Sequence, residues 1–193
     1  MSQWKVFKSL LKAPKSDVIV LLLTFTCTVI FDLVVAIGIG MIMTMFLFMK
    51  RVSDTTEIRD LVEEKVFDKD TNTVLEKADG RIRVYQVNGP MFFGVVNEFF
   101  DKMKEIESSV GVVILDMRHT HAIDASAIDA LTRLLKHCNE LNIKLCLTHV
   151  QNQPMKVLNK MGFVVKIGVS HIYETKTEAI EKAYDYVKEL EAS

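Results

Sequence analysis

The 193-residue sequence has no Gly-x-Ser-x-Gly turn and no glycine-rich phosphate loop. The first absence removes the strained elbow that presents a hydrolase serine, and the second removes the amide cradle for a nucleotide phosphate. Cysteine is scarce. Cys27, Cys138 and Cys146 show no ligand-like spacing and read as reduced packing residues in a cytosolic or membrane setting. A basic stripe is also missing. Residues 1–51 carry a net +4 and the remainder −5, so the mildly acidic soluble part offers no footprint for nucleic acid. No internal repeat or low-complexity segment occurs.

Charge is missing from one long stretch as well. Val18 to Met49, 32 residues, holds a single charged side chain, Asp32. That run is far longer than a signal-peptide core, and no small-residue cleavage site follows it. As one helix it would measure about 48 Å, against a hydrocarbon core of about 30 Å. Two readings remain: a single tilted span that overshoots, or a hairpin of Val18–Phe31 and Leu33–Met49 with Asp32 at the turn. Lys12 and Lys15 precede the run, and Lys50 and Arg51 follow it. Positive charge on both flanks favours two cytoplasmic ends, which only the hairpin gives. Gly38 and Gly40 let a neighbouring helix approach closely. Ahead of the run, Trp4, Phe7, Leu10 and Leu11 share one side at helical spacing beside Lys5, Lys8 and Lys12. That pattern suits an interfacial helix over residues 1–17; a linker helix is the alternative.

After the membrane stretch, residues 52–80 read as a polar linker with an edge strand at Leu61–Phe67 and turns at 68–72 and 78–80. Residues 81–193 then alternate strand and helix. Strands fall at 81–88, 112–118 and 143–148, the last alternating as if half-buried. Amphipathic helices fall at 92–106, 128–141, 152–161 and from Thr175 onward, and Phe163–Ile167 reads as a short strand or loop. Strands alternating with helices through short loops predict an α/β domain with a mostly parallel sheet flanked by helices.

The centre of that domain is Val112–Arg118, an apolar run such as a strand buried on both faces shows. It leads through His119–Thr120–His121–Ala122 into Asp124 and Ser126, which carry helix-start chemistry. Asp116, His119, His121 and Asp124 are ligand types, but their spacing is unspecific and no distant partner cluster exists, so no metal or cofactor is expected. Ser126 lacks an oxyanion hole beyond ordinary helix amides, so no catalytic role is expected either. Two readings of the loop stay open. In one, Asp124 is a cap and nothing more. In the other, Ser126 is a regulatory hydroxyl whose phosphate would sit at a helix N-terminus, and Arg118, His121, Asp124 and Ser126 form a partner-binding loop.

Val87–Asn88–Gly89–Pro90–Met91–Phe92–Phe93–Gly94, together with Ile123–Asp124–Ala125–Ser126–Ala127, resembles the STAS domain shared by SulP-type sulfate and anion transporters and anti-sigma factor antagonists. The Gly–Pro–x–Phe–Phe run is similar to the transporter branch. Val18–Arg51 resembles the last two transmembrane helices of those transporters. The resemblance implies a STAS-like fold behind a transmembrane hairpin, with the domain in the cytoplasm beneath a plasma or inner membrane. It implies a regulatory or interaction role, with no transport by this chain alone. The implied partners are the lipid bilayer, the remaining transmembrane part of a transporter or a second copy, and a cytosolic protein. In the antagonist branch a partner kinase phosphorylates the serine of Asp-x-Ser-Gly. Ser126 matches that serine and Asp124 the aspartate, whereas the glycine is Ala127 here.

Overall fold

The computed structural model describes residues 15–54, 56–64, 66–67, 69–92 and 109–191. The amphipathic segment before Lys15 and the body of the helix expected at 92–106 lie outside the described residues. The chain divides into two compact units, Met1–Val52 and Ser53–Ser193.

The first unit holds α1 (Lys15–Ile30) and all but the last two residues of α2 (Leu33–Asp54), broken at Phe31–Asp32. A Cβ built on Gly40 would lie 2.7 Å from Thr24 Oγ1. Sixteen residues of one straight helix would separate those positions by about 24 Å, so the chain folds back on itself. Thr24 and Gly40 stand equally far from Asp32, as do antiparallel partners about a turn. Cys27 and Ala36, also nearly symmetric about it, are buried. Gly40 is therefore the point of close approach. Gly38 is not: a Cβ there meets nothing within 4 Å among the described residues. Of the two helices, Leu33–Val52 is long and apolar enough to cross a membrane; Val18–Ile30 is shorter.

The second unit is built on a five-stranded sheet in the order β1 (Glu57–Asp60), β2 (Ile82–Asn88), β3 (Val112–His119), β4 (Lys144–Thr148), β5 (Ile172–Tyr173). β1 pairs antiparallel with β2, and the other pairings are parallel. Helix α3 (Lys69–Lys77) lies between β1 and β2, α4 (Ala125–Glu140) between β3 and β4, and α5 (Asn152–Lys160) and α6 (Phe163–Ile167) between β4 and β5. Helix α7 (Lys176–Glu191) closes the chain.

Strand residues pointing to opposite faces build two cores. Val113, Leu115 and Met117 of β3 and Leu145 and Leu147 of β4 pack with Ile128, Leu131, Leu134 and Cys138 of α4, Leu158 of α5 and Phe163 of α6. Val112 and Ile114 of β3 and Cys146 of β4 pack with Leu75 of α3 and with Ala179, Ile180, Ala183 and Val187 of α7. The result is a helix–sheet–helix sandwich, the mixed α/β architecture expected from the strand–helix alternation.

Four local expectations differ. The edge strand is Glu57–Asp60, and residues 61–64 form a turn in which Val62 N–H donates to Asp60 Oδ1 at 2.9 Å. Only Ile58 of β1 is buried, while Glu57 is exposed, so the strand is too short and charged to show alternation. Residues 69–72 of the expected turn are the start of α3, whose buried residues Thr71 and Leu75, followed by Ala78 just past its end, begin with a polar one. Phe163–Ile167 is a helix, entered at Gly162 with φ +71°, where Phe163, Val164 and Ile167 are buried. β4 is also deeper than expected: Leu145 through Thr148 are all buried, covered by a helix layer on each face.

Candidate functional site at the carboxyl edge of the sheet

The parallel strands end along one edge, and the loop after β3 is pinned there from both sides. Met91 N–H donates to the Ala122 carbonyl at 3.0 Å, and Asp124 N–H donates to the Met91 carbonyl at 3.3 Å, forming a one-residue parallel bridge. Gly89 N–H donates to the His119 carbonyl at 3.2 Å. Gly89 sits at φ +111°, and a Cβ there would lie 2.7 Å from Thr56 Oγ1, so no other residue fits without strain. Buried Thr120 donates its hydroxyl to the Val87 carbonyl at 3.0 Å. From the other side, Gln153 of α5 pairs its side-chain amide with both main-chain groups of Ile123. Sequence reasoning missed Gln153, because its partner lies 30 residues away.

At the end of this loop Asp124 is extended and caps α4: its Oδ1 accepts the Ala127 N–H at 3.0 Å. The same oxygen accepts the Ser126 hydroxyl at 2.5 Å. A phosphate on Ser126 would have to break that bond and place its charge beside a carboxylate, against the favourable helix terminus. Ala127 is fully buried in the α4-side core, so its methyl fills packing volume. His119 and His121 are exposed.

Arg118 does not join this group. Residues 112, 114, 116 and 118 alternate onto the α7 side, whereas α4 covers the opposite face. Arg118 Nη2 lies 2.8 Å from His149 Nε2, and Arg118 N–H donates to Asp116 Oδ1 at 3.1 Å. Asp116 is fully buried. His149 Nδ1 contacts its Oδ1 at 3.1 Å, and Lys176 Nζ stands 3.4 Å from its Oδ2. That second contact is an ion pair whose alignment falls short of a hydrogen bond, leaving Asp116 Oδ2 and the neighbouring Thr148 Oγ1 without hydrogen-bond partners among the described residues. The expected loop is thus two clusters on opposite faces: Asp124 with Ser126, and Asp116 with Arg118, His149 and Lys176. The one sequence signal for the second was an aspartate inside an apolar run, since a buried carboxylate demands partners. Burial, aided by Arg118 and Lys176, holds the His149 imidazole below its ordinary value against the pull of Asp116. Among the described residues no three His, Cys, Asp or Glu side chains converge as a metal site: Asp116 and Asp124 face different clusters.

A family model for the STAS domain matches residues 74–179, more than half of the chain. The chain belongs to the STAS-domain family. "Putative sulfate transporter YvdB" of Bacillus subtilis is 29% identical over 180 residues, covering 92% of this chain and 32% of the relative. The bicarbonate transporter BicA of Synechocystis is 24% identical over 161 residues, covering 81% of this chain and 28% of the relative. The chain spans about a third of the length of these relatives. Among solved structures, a sulfate transporter family protein from Wolinella succinogenes is 30% identical, with a TM-score of 0.52 over 55% of this chain and 88% of that chain. The murine Slc26a9 anion transporter superposes on 91% of this chain and 30% of its own with a TM-score of 0.68; at 14% identity it shares the fold. Relatives named as sulfate and bicarbonate transporters therefore align with most of this chain.

Proposed function

We propose that this chain is the membrane hairpin and cytoplasmic STAS domain of a SulP-like sulfate or other anion transporter, with a regulatory or docking role and no enzymatic activity. The observation that carries this reading is the covalent order: an apolar helix pair flanked by Lys12, Lys15, Lys50 and Arg51 precedes a STAS domain in a chain alignable almost end to end with transporter relatives. The basic flanks favour two cytoplasmic ends. The turn at Asp32 would then reach the opposite side, clear of the lipid in which a carboxylate is costly. The helices would pack on the other spans of such a transporter or on a second copy.

The test is topology mapping in intact cells with single cysteines at Asp32 and Ser193 and a membrane-impermeant thiol reagent. Labelling at position 32 alone is expected. Labelling at both positions, or recovery of the chain in the soluble fraction, sinks the reading.

A second reading, a membrane-anchored switch working through the loop, draws on the Ser126–Asp124 bond: a phosphate on Ser126 would have to break it and so would change the loop surface. It expects phosphate on Ser126 after incubation with cellular kinases, mapped by mass spectrometry. An unmodified Ser126, with partner binding unaffected by Ser126→Asp, removes it.

A further inference from the structure

His149 stands where β4 ends, in the left-handed region at φ +50°, which histidine tolerates better than most side chains. Its N–H donates to the Tyr173 carbonyl at 3.3 Å, so the backbone is anchored to β5. The ring bridges two strands. Nε2 meets Arg118 Nη2 at 2.8 Å, and Nδ1 meets Asp116 Oδ1 at 3.1 Å. A guanidinium has donors and no acceptor, so the contact at Nε2 requires a bare lone pair there. The carboxylate oxygen accepts, so Nδ1 carries the proton. The two contacts together select a single form of the ring: neutral, with hydrogen on Nδ1. A second proton has only Nε2 to occupy, where it would take the place of the Arg118 bond and set two cations against each other.

We propose that His149 is an acid-operated clasp that, when neutral, ties Arg118 at the end of β3 to the end of β4 and, when protonated, releases the guanidinium at the root of the His119–Ser126 loop. The charged groups facing the ring are Asp116 and Arg118 from β3 and Lys176 from α7. Asp116 favours the second proton. Arg118, Lys176 and, most of all, burial oppose it, so the clasp holds at neutral pH and opens on the acid side of the ordinary histidine value of 6.5. The inference stands on the contacts of the STAS domain and is independent of what the hairpin does.

The test is histidine- and arginine-selective 15N NMR of the full chain in detergent micelles, with His149→Asn assigning the ring signal. The expected result is a neutral Nδ1–H form at pH 7.5 and a titration midpoint below 6.5. The Arg118 Nη signals should vanish on acidification with the same midpoint. Arg118→Ala should move the His149 midpoint upward, because it removes both the bond to the neutral ring and the adjacent cation. A ring protonated on Nε2 at pH 7.5, or a midpoint unmoved by Arg118→Ala, overturns the proposal. If Arg118→Ala fails to fold, Arg118→Lys is the substitute: it keeps charge but not the forked donor geometry, and an Arg118→Lys ring titrating as in the parent chain is equally adverse.

Discussion

Gln153 Oε1 accepts the Ile123 N–H at 3.0 Å, and Gln153 Nε2 donates to the Ile123 carbonyl at 3.1 Å. One side chain thus plays the part of a strand neighbour for a buried loop residue. Gln153→Ala leaves both main-chain groups unpaired and is expected to destabilise the domain by about 1–3 kcal/mol. Gln153→Glu keeps the acceptor and loses the donor, so it should fall between the two in a denaturant titration. Equal stability of all three chains would show that water replaces the amide without cost.

Asp124→Ala removes the cap of α4 and should cost about 1 kcal/mol. Ala127→Gly restores the glycine of the antagonist motif, yet it deletes a buried methyl and loosens a helical backbone. The expected cost is about 1–2 kcal/mol. Ser126→Ala should change stability less than either, since the cap bond to Ala127 N–H survives it. Thermal unfolding of the three variants orders them. A more stable Ala127→Gly chain would contradict the packing role given to that methyl.

Stability should depend on pH through His149. Its imidazole is held below the ordinary value of 6.5 in the folded chain, so on acidification the unfolded chain takes up this proton first. The group therefore contributes nothing above the unfolded value and destabilises progressively as pH falls below it. Unfolding midpoints measured from pH 7.5 to pH 5 should drop more steeply for the parent chain than for His149→Asn, a residue that also tolerates positive φ. Parallel slopes would mean that His149 is not perturbed.

In the helix pair, Gly40→Leu must push α1 and α2 apart, because even a Cβ there would lie 2.7 Å from Thr24 Oγ1. At Gly38 an added Cβ meets nothing within 4 Å among the described residues, so Gly38→Leu has room to begin with. Unfolding of the full chain in mixed micelles, followed by helical circular dichroism, should show a lowered midpoint for Gly40→Leu alone. Similar losses for both would mean that Gly38 also faces a partner.

What was legible in the sequence was what local chemistry decides. The apolar run of β3, the cap at Asp124, the stop at Gly162 and the Thr175 hydroxyl that accepts the Glu178 N–H each announce themselves within a few residues. The helix break at Phe31–Asp32 falls where the lone charge stands. What stayed hidden depends on partners far along the chain. β5 is two residues long and exists because β4 offers it an edge. Thr71 on the buried line of α3 looks like a turn residue until Leu75 and Ala78 follow it inward. Arg118 reads as part of the loop after β3, and only the parallel register that sets Asp116 beside Thr148 brings it to His149. Chemistry assembled across strands is invisible to spacing.

The cysteines turn the sandwich into its own reporter. Cys138 belongs to the core between the sheet and α4, and Cys146 to the core between the sheet and α7. Burial raises both thiols to about 12, so neither reacts while its layer is closed. A thiol probe added to the native chain therefore counts openings, and peptide mapping assigns each adduct to one layer. Peeling of α7 would tag position 146 alone, whereas global unfolding would tag both at the same rate.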